Sequence, residues 1–406
     1  MFIIKNSIGN KITYYHLLIF LTTLPFDRFY SELALISLLI HTIIQFKKQN
    51  LLPFNSYQFL PSILFLLTLF CSFYSVDKQQ AYNDCEKQLA LILFPLVFFI
   101  TPIDISKYIT SLLKLFGLVC TVIVLYLFYD ALKTIKYYHL PISSLLGTQF
   151  NNHNFSAPIE LHATYFSMYI LLSITTFLQQ FFLEKNKTIK ACYLLGCFIL
   201  FAGLLQLSSR AAIISFFIII NFPILFLIQN KIKKRKYLIA SIFFSIVTLS
   251  ILFKVDQLKQ KYITGFQLDL LVNNNISESR AARWECALDL IKHSPIYGYG
   301  SGSESVLLPE KYFEAKLYNS YLHHLNVHNE YLNSMLTAGI IGITLYALIL
   351  FYGFKIAIQN KDVLFCSFLI IVAVISFSEN ILDANKGIFF FAFFYPAFIP
   401  RTFHIK

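Results

Sequence analysis

The sequence predicts an all-α polytopic membrane protein of about twelve transmembrane helices, with N- and C-termini inside and a large outer loop, containing short helices, between spans 9 and 10. Three observations carry that expectation. Hydrophobic residues make up 57% of the 406 residues and charged ones 13%, with a mean hydropathy of +0.64, far too apolar for a soluble domain. The apolar residues fall in long continuous runs rather than short alternating segments, which favours helices that satisfy their own backbone groups without water. The basic residues are asymmetric: with the N-terminus inside, the inner segments hold seventeen Lys and Arg and the short outer segments seven, the bias that sets an N-in, C-in topology.

The opening stretch, MFIIKNSIGNKITYYHLLIFLTTLPF, joins a weakly basic start to an apolar run without a small-residue cleavage site, and reads as a retained first span at about 12–26. Apolar windows follow at about 29–46, 58–75, 88–101 and 108–130, then at 162–183, 190–207, 211–229 and 237–253. The last three lie at 329–354, 363–380 and 387–400. Two outer segments are long, about 131–161 and about 254–328, and loops of that size usually carry function. The chain thus divides into spans 1–9 (1–253), the large loop (254–328), and spans 10–12 with an inner tail (329–406), forming one integral membrane domain.

The net charge of +12 is not a nucleic-acid signal, because its densest cluster, KIKKRK, lies in an inner loop and suits anionic lipid headgroups. Seven cysteines lie mostly inside apolar runs with no CxxC pair, so neither a zinc site nor a disulfide framework is indicated. Cys85 and Cys286 fall in outer segments where an oxidising compartment would let them pair, but free thiols acting as small hydrophobes are the expected state.

Candidate chemistry gathers at the outer side. In NNNISESRAARWECALDLIKHSPIYGYGSGS, Ser277 or Ser279 can cap a short helix from about Arg280 to Ile291. Arg280, Trp284, Leu288 and Ile291 then share one face, a guanidinium beside an apolar, membrane-facing stripe. Arginine in a first turn opposes the helix dipole, so Arg280 and Arg283 suit anion binding at the bilayer surface; the alternative is interfacial anchoring. The spacing G-x-G-x-G of Gly298, Gly300 and Gly302 lacks a preceding strand and marks a tight turn, not a dinucleotide site. In LLQLSSRAAIISFF, Arg210 stands alone at the outer membrane edge, where an ionisable group is costly unless it has work to do; the alternative is again an anchor.

His162 stands with Glu160 at the outer mouth of the sixth span, a rim position that is more often structural than catalytic. The segment HHLNVHNE brings His323, His324, His328 and Glu330 to the start of the tenth span. His324 and His328 have a metal-compatible spacing of four, but no Glu stands between them as in zinc proteases and no third ligand is evident. His328 followed by Asn329 instead reads as a positioned base with a helix-capping neighbour. His323 has no assigned role.

Taken in order, SSRAA, then SRAARW with SPIYGYGSG, then HNEYLNSMLTAGIIG resemble the O-antigen ligase and O-antigen polymerase superfamily of bacterial inner-membrane glycosyltransferases. The motifs cover about 200–350. The resemblance implies transfer of a glycan from an undecaprenyl-pyrophosphate carrier, on the periplasmic face, to an acceptor hydroxyl: the lipid A core for a ligase, another carrier-linked repeat for a polymerase. It implies Arg210 and Arg280 on the pyrophosphate, Arg280 being selected over Arg283 by an R-x-x-x-W spacing, and His328 as general base, with inversion and no metal or cofactor. Arg283, Trp284, Asn329, His162 and His324 complete the expected substrate-binding set. A related protein O-oligosaccharyltransferase is the neighbouring reading. A polysaccharide flippase is the competing class, but it would place its ionisable residues and broken helices at the bilayer midplane.

Overall fold

The computed structural model describes residues 7–47, 54–254, 256–264 and 278–399. Ser277, one of the two expected caps, and the chain ends that contribute to the charge asymmetry lie outside these residues. Among the described residues the regular structure is helical throughout: α1 (Ile8–Thr23), α2 (Arg28–Ile44), α3 (Leu60–Ser72), α4 (Lys78–Gln88), α5 (Ala90–Ile100), α6 (Ile109–Tyr137), α7 (His153–Ser156), α8 (Ala163–Leu183), α9 (Lys187–Leu207), α10 (Arg210–Asn221), α11 (Lys231–Lys254) and α12 (Asp256–Lys259) come first. After the large loop's opening, α13 (Arg280–His293), α14 (Glu304–Glu314), α15 (Tyr318–Leu322), α16 (Glu330–Gln359), α17 (Val363–Ile375) and α18 (Asn385–Phe398) complete the chain.

Each of the twelve apolar windows falls on a helix. Among the described residues six helical stretches are long and apolar enough to cross a membrane: Ile109–Tyr137, Ala163–Leu183, Lys187–Leu207, Arg210–Leu227, Lys231–Lys254 and Glu330–Gln359. The stretches Ser56–Ser72 and Val363–Ile375 are shorter apolar helices.

The centre is built from α8, α17 and α18. Of the hydrophobic window of α8, 72% is buried, against 17% for α11, whose first six residues are the basic cluster KIKKRK, helical here where the sequence suggested a loop. α8 can be buried despite its hydroxyls because Ser167, Ser173, Thr175 and Thr176 each donate to the carbonyl four residues back, which satisfies them locally. Its Phe177 ring fills the space left by two glycines, Gly117 of α6 and Gly196 of α9, where a Cβ would stand 2.8 Å from ring atoms. Small residues at crossings allow this close approach. From α18, Phe393 packs against Phe20, Phe94 and Phe98, joining the C-terminal helix to α1 and α5.

One span is broken. Inside α16, Ala338 (φ −132°, ψ 15°) and Gly339 (φ 60°, ψ −148°) leave helical geometry, a combination at Gly339 that is nearly exclusive to glycine. The freed backbone groups are taken up by the turn in SPIYGYGSGS: Tyr299 N donates to Leu336 O (2.8 Å), Gly300 N to Thr337 O (2.9 Å) and Ile340 N to Pro295 O (2.9 Å). Gly298 (φ +66°) is needed there, because a Cβ would lie 2.5 Å from Leu336 O. The glycine-rich stretch is therefore a turn, as expected, and its partner is the A-G step of the following span.

Candidate functional site

Two helices begin with the same four residues, Ser-Arg-Ala-Ala. At α10, the Ser209 hydroxyl accepts from Ala212 N (3.4 Å); at α13, Ser279 accepts from Ala282 N (3.2 Å). Serine is a strong N-cap, and it leaves the arginine at the first helical position, Arg210 in one case and Arg280 in the other. Both guanidinium groups line a single cavity of about 480 Å³, together with Asn152, His153, Trp284 and Glu379. Two helix N-termini and two arginines converge on it, the arrangement expected for an anion site.

Glu379 joins the arginines to the histidine. It lies in the loop between α17 and α18, nearly buried, and its Oε1 stands 3.7 Å from an Arg280 guanidinium nitrogen and accepts the Thr164 hydroxyl (3.2 Å). Its Oε2 meets His328 Nδ1 at 3.0 Å. Burial would raise the Glu379 pKa, but the hydrogen bond and charge of His328, with His162 and Arg280 nearby, hold it well below the usual carboxylate range. An ionised carboxylate only accepts, so Nδ1 carries a proton, and it is in the neutral imidazole that Nε2 presents a lone pair.

His328 is fixed by its backbone as well. It adopts a left-handed conformation (φ 48°), uncommon for a residue with a Cβ, and its N–H donates to Asn326 Oδ1 (3.1 Å). The next residue, Asn329, is buried and caps α16, its Oδ1 accepting from Tyr331 N (3.0 Å) and Leu332 N (3.1 Å) while its own N–H donates to Asn380 Oδ1 (2.7 Å). Glu330 is buried too and accepts from Leu382 N (2.8 Å). The start of α16 and the α17–α18 loop are thus tied together at three points.

The remaining expected residues divide. Trp284 lines the arginine cavity, and its Nε1 donates to Val327 O (3.0 Å), next to His328. Its helix face packs on a core formed by Leu308 and Tyr312 of the large loop with Leu336 of α16 rather than facing lipid along its length, with only Leu288 of the expected stripe exposed. Arg283 is not brought to the cavity: it is buried, 7% exposed, and its charge acts on Tyr312. It follows Arg280 by three residues, about 300° of helical rotation, so it points about 60° to one side of Arg280 and enters the loop core. His162 stands one layer behind the cavity, where Nδ1 accepts from Thr164 N (3.3 Å) and caps α8. Burial, opposed by the Glu379 charge, moves its pKa down to about 4. His153 packs edge-on against it at 4.2 Å and lines the cavity itself. His324 shares a different cavity with His328, while His323 is exposed and ends α15. All seven cysteines, Cys85 and Cys286 included, are free thiols. Among the described residues no three His, Cys, Asp or Glu side chains are grouped to hold a metal ion.

Sequence reasoning missed Glu379, His153 and Asn152. Glu379 was hidden because the apolar window 363–380 ran past the true helix end at Ile375. The rule that singled out Arg210, an ionisable group at the membrane edge, applies equally to the Glu379 in ISFSENILD.

Fold and site together define a polytopic helical membrane protein with an anion-suited pocket next to a carboxylate-held histidine. A family model described as O-antigen ligase matches residues 195–347, from within α9 to within α16, a stretch that contains Arg210, Arg280 and His328. Over residues 195–347 the chain is thus similar to the O-antigen ligase and polymerase superfamily, whose members are glycosyltransferase-like enzymes that work on lipid-linked glycans. No curated protein matches the chain.

Proposed function

We propose that the protein is a metal-independent, inverting glycosyltransferase that moves a glycan from undecaprenyl pyrophosphate to an acceptor hydroxyl, the lipid A core in the ligase reading. It works on the periplasmic face of the bacterial inner membrane and has twelve crossings, with both termini inside. The observation that carries the reading is the convergence of Arg210 and Arg280 on one cavity beside Glu379, which in turn holds His328 Nδ1.

The pyrophosphate lies against the two guanidinium groups and the two helix N-termini. These donors counter the charge that builds on it as the anomeric C–O bond breaks. His328 Nε2 takes the proton of the acceptor hydroxyl as the new glycosidic C–O bond forms, and undecaprenyl pyrophosphate departs. Glu379 keeps His328 in the right tautomer and stabilises the imidazolium that results. A single displacement inverts the anomeric carbon. The clustering of candidate charges at the outer edge, rather than at the bilayer midplane, supports surface chemistry over transport.

The test is transfer by purified protein from a lipid-linked donor. His328→Ala should lower the rate by about 100- to 10,000-fold, the usual worth of a positioned acid–base group; unchanged transfer excludes the general-base role. In cells, deletion with lipopolysaccharide profiling separates the variants of the reaction. Accumulated carrier-linked polymer marks a ligase, a single ligated repeat in place of a ladder marks a polymerase, and loss of glycoprotein staining marks protein O-glycosylation.

A further inference from the structure

His328 itself borders a second cavity, of about 450 Å³, distinct from the arginine pocket that Glu379 lines. Its walls include Gln80 and Lys87 of α4, Glu304 at the start of α14, Asn326 and Asp383. The polar groups are organised: Lys87 Nζ lies 3.5 Å from Asp84 and 3.4 Å from Asp383, and the Asn326 amide donates to Asp383 (3.2 Å). Glu304 Oε2 is buried without a hydrogen bond. Burial, with Asp383 and Asp84 nearby, raises the Glu304 pKa well above the carboxylate range, which leaves a neutral carboxyl that can both donate and accept. Such a mixed set of donors and acceptors suits sugar hydroxyls.

Gln80 and Lys87 line a third cavity as well, about 530 Å³, between α2, α4, α5 and α18. This one changes character along its length. Arg28, Glu32 and Asn83 line its α4 end, and Leu35, Ile36, Leu39 and Phe389 line the other. Ile36 is 53% exposed on the face of α2 that also exposes Phe29, Leu33 and Ile40, so the groove opens onto an apolar outer surface. The arginine cavity has its own apolar rim, at Ile214 and Phe377.

We infer that the second and third cavities form one binding site for a membrane-anchored glycan acceptor, with its sugar beside His328 and its lipid tail in the groove of Ile36, Leu39, Leu93 and Phe389. This rests on His328 being the group that meets the acceptor. Gln80 and Lys87 line both cavities, so the two parts adjoin, and the polar-to-apolar gradient matches an amphiphile. A water-soluble acceptor protein needs no such groove. Donor and acceptor then approach from different sides of the His328–Glu379 pair.

The test uses the full chain in its own cell membrane, with Ile36 replaced by the photoreactive p-benzoylphenylalanine and the adduct read by mass spectrometry. Leu195, exposed on α9 away from these cavities, carries the probe in a control. A sugar-bearing lipid adduct is expected at Ile36 and not at Leu195, and filling the groove with Leu93→Trp or Leu39→Trp should abolish it in protein that still melts cooperatively. Only phospholipid adducts at both positions, or a protein adduct at Ile36, overturns the inference. The readout does not need catalysis: with His328→Ala the glycolipid adduct should persist, so a failure of the general-base reading and a failure of the acceptor groove are told apart.

Discussion

At the scale of single residues, charge geometry separates Arg210 and Arg280 from the other basic side chains. Lysine keeps the charge but loses the planar fork that grips two oxygens at once. Arg210→Lys and Arg280→Lys should each retain membrane insertion while transfer falls by about 100- to 1,000-fold, comparable to removing a transition-state donor, as measured with a lipid-linked donor. Glu379→Gln keeps the shape but lets an amide donate toward Nδ1, and should lower kcat by about 100-fold or more through the wrong tautomer. Linkage gives a second readout. The Glu379 pKa is depressed from 4.5 to about 2 and that of His162 from 6.5 to about 4. In both cases the unfolded chain binds more protons within the window, so stability rises with pH there. The His162 contribution is complete above 6.5 and lost as pH falls toward 4; that of Glu379 is complete above 4.5 and lost toward 2. Melting temperatures in detergent should therefore lose their slope between pH 6.5 and 4 in His162→Gln, and below 4.5 in Glu379→Gln.

At the scale of elements, apolar runs read directly as helices, and the cap at Ser279, the helix from Arg280 and the cap at Asn329 were all legible because they depend on neighbours in sequence. Three features were not. α4, KQQAYNDCEKQ, has no apolar run, yet its Lys87 and Gln80 line two cavities. α6 continues to Tyr137, beyond its apolar window. The break in α16 is written only as an A-G step, and its cause is the distant turn at Pro295–Gly300 that pairs with it. Gly339→Ala meets both a forbidden backbone conformation and the Ile296 carbonyl. It should destabilise the protein by about 1–3 kcal/mol, the usual cost of such strain, seen as a lower melting temperature. Activity should fall with it, because the same turn leads from α13, which carries Arg280, toward α14, which carries Glu304.

At the scale of the whole molecule, the charge asymmetry predicts that the KIKKRK cluster and the large loop lie on opposite sides of the membrane. Alkaline phosphatase fused after Glu314 should be active and after Arg235 inactive; the reverse pattern overturns the orientation. The two cavities on either side of the His328–Glu379 pair are a property of this scale alone. Arg210 and Arg280 lie seventy positions apart, and His328 and Glu379 fifty-one, so their meeting depends on how α8, α10, α13 and the α17–α18 loop pack.

By itself, the sequence determined that this is a helical membrane protein and where its apolar helices lie, and it singled out Arg210, Arg280 and His328 as candidates for one site. Hydropathy, capping and motif order act locally and survive in one dimension. Only the tertiary structure decided that Glu379 links the arginines to the histidine, that Arg283 turns into the loop core, and that His328 faces a second cavity. Those outcomes follow from burial and from contacts between distant segments, where a rotation of one residue along a helix changes which side chain reaches the pocket.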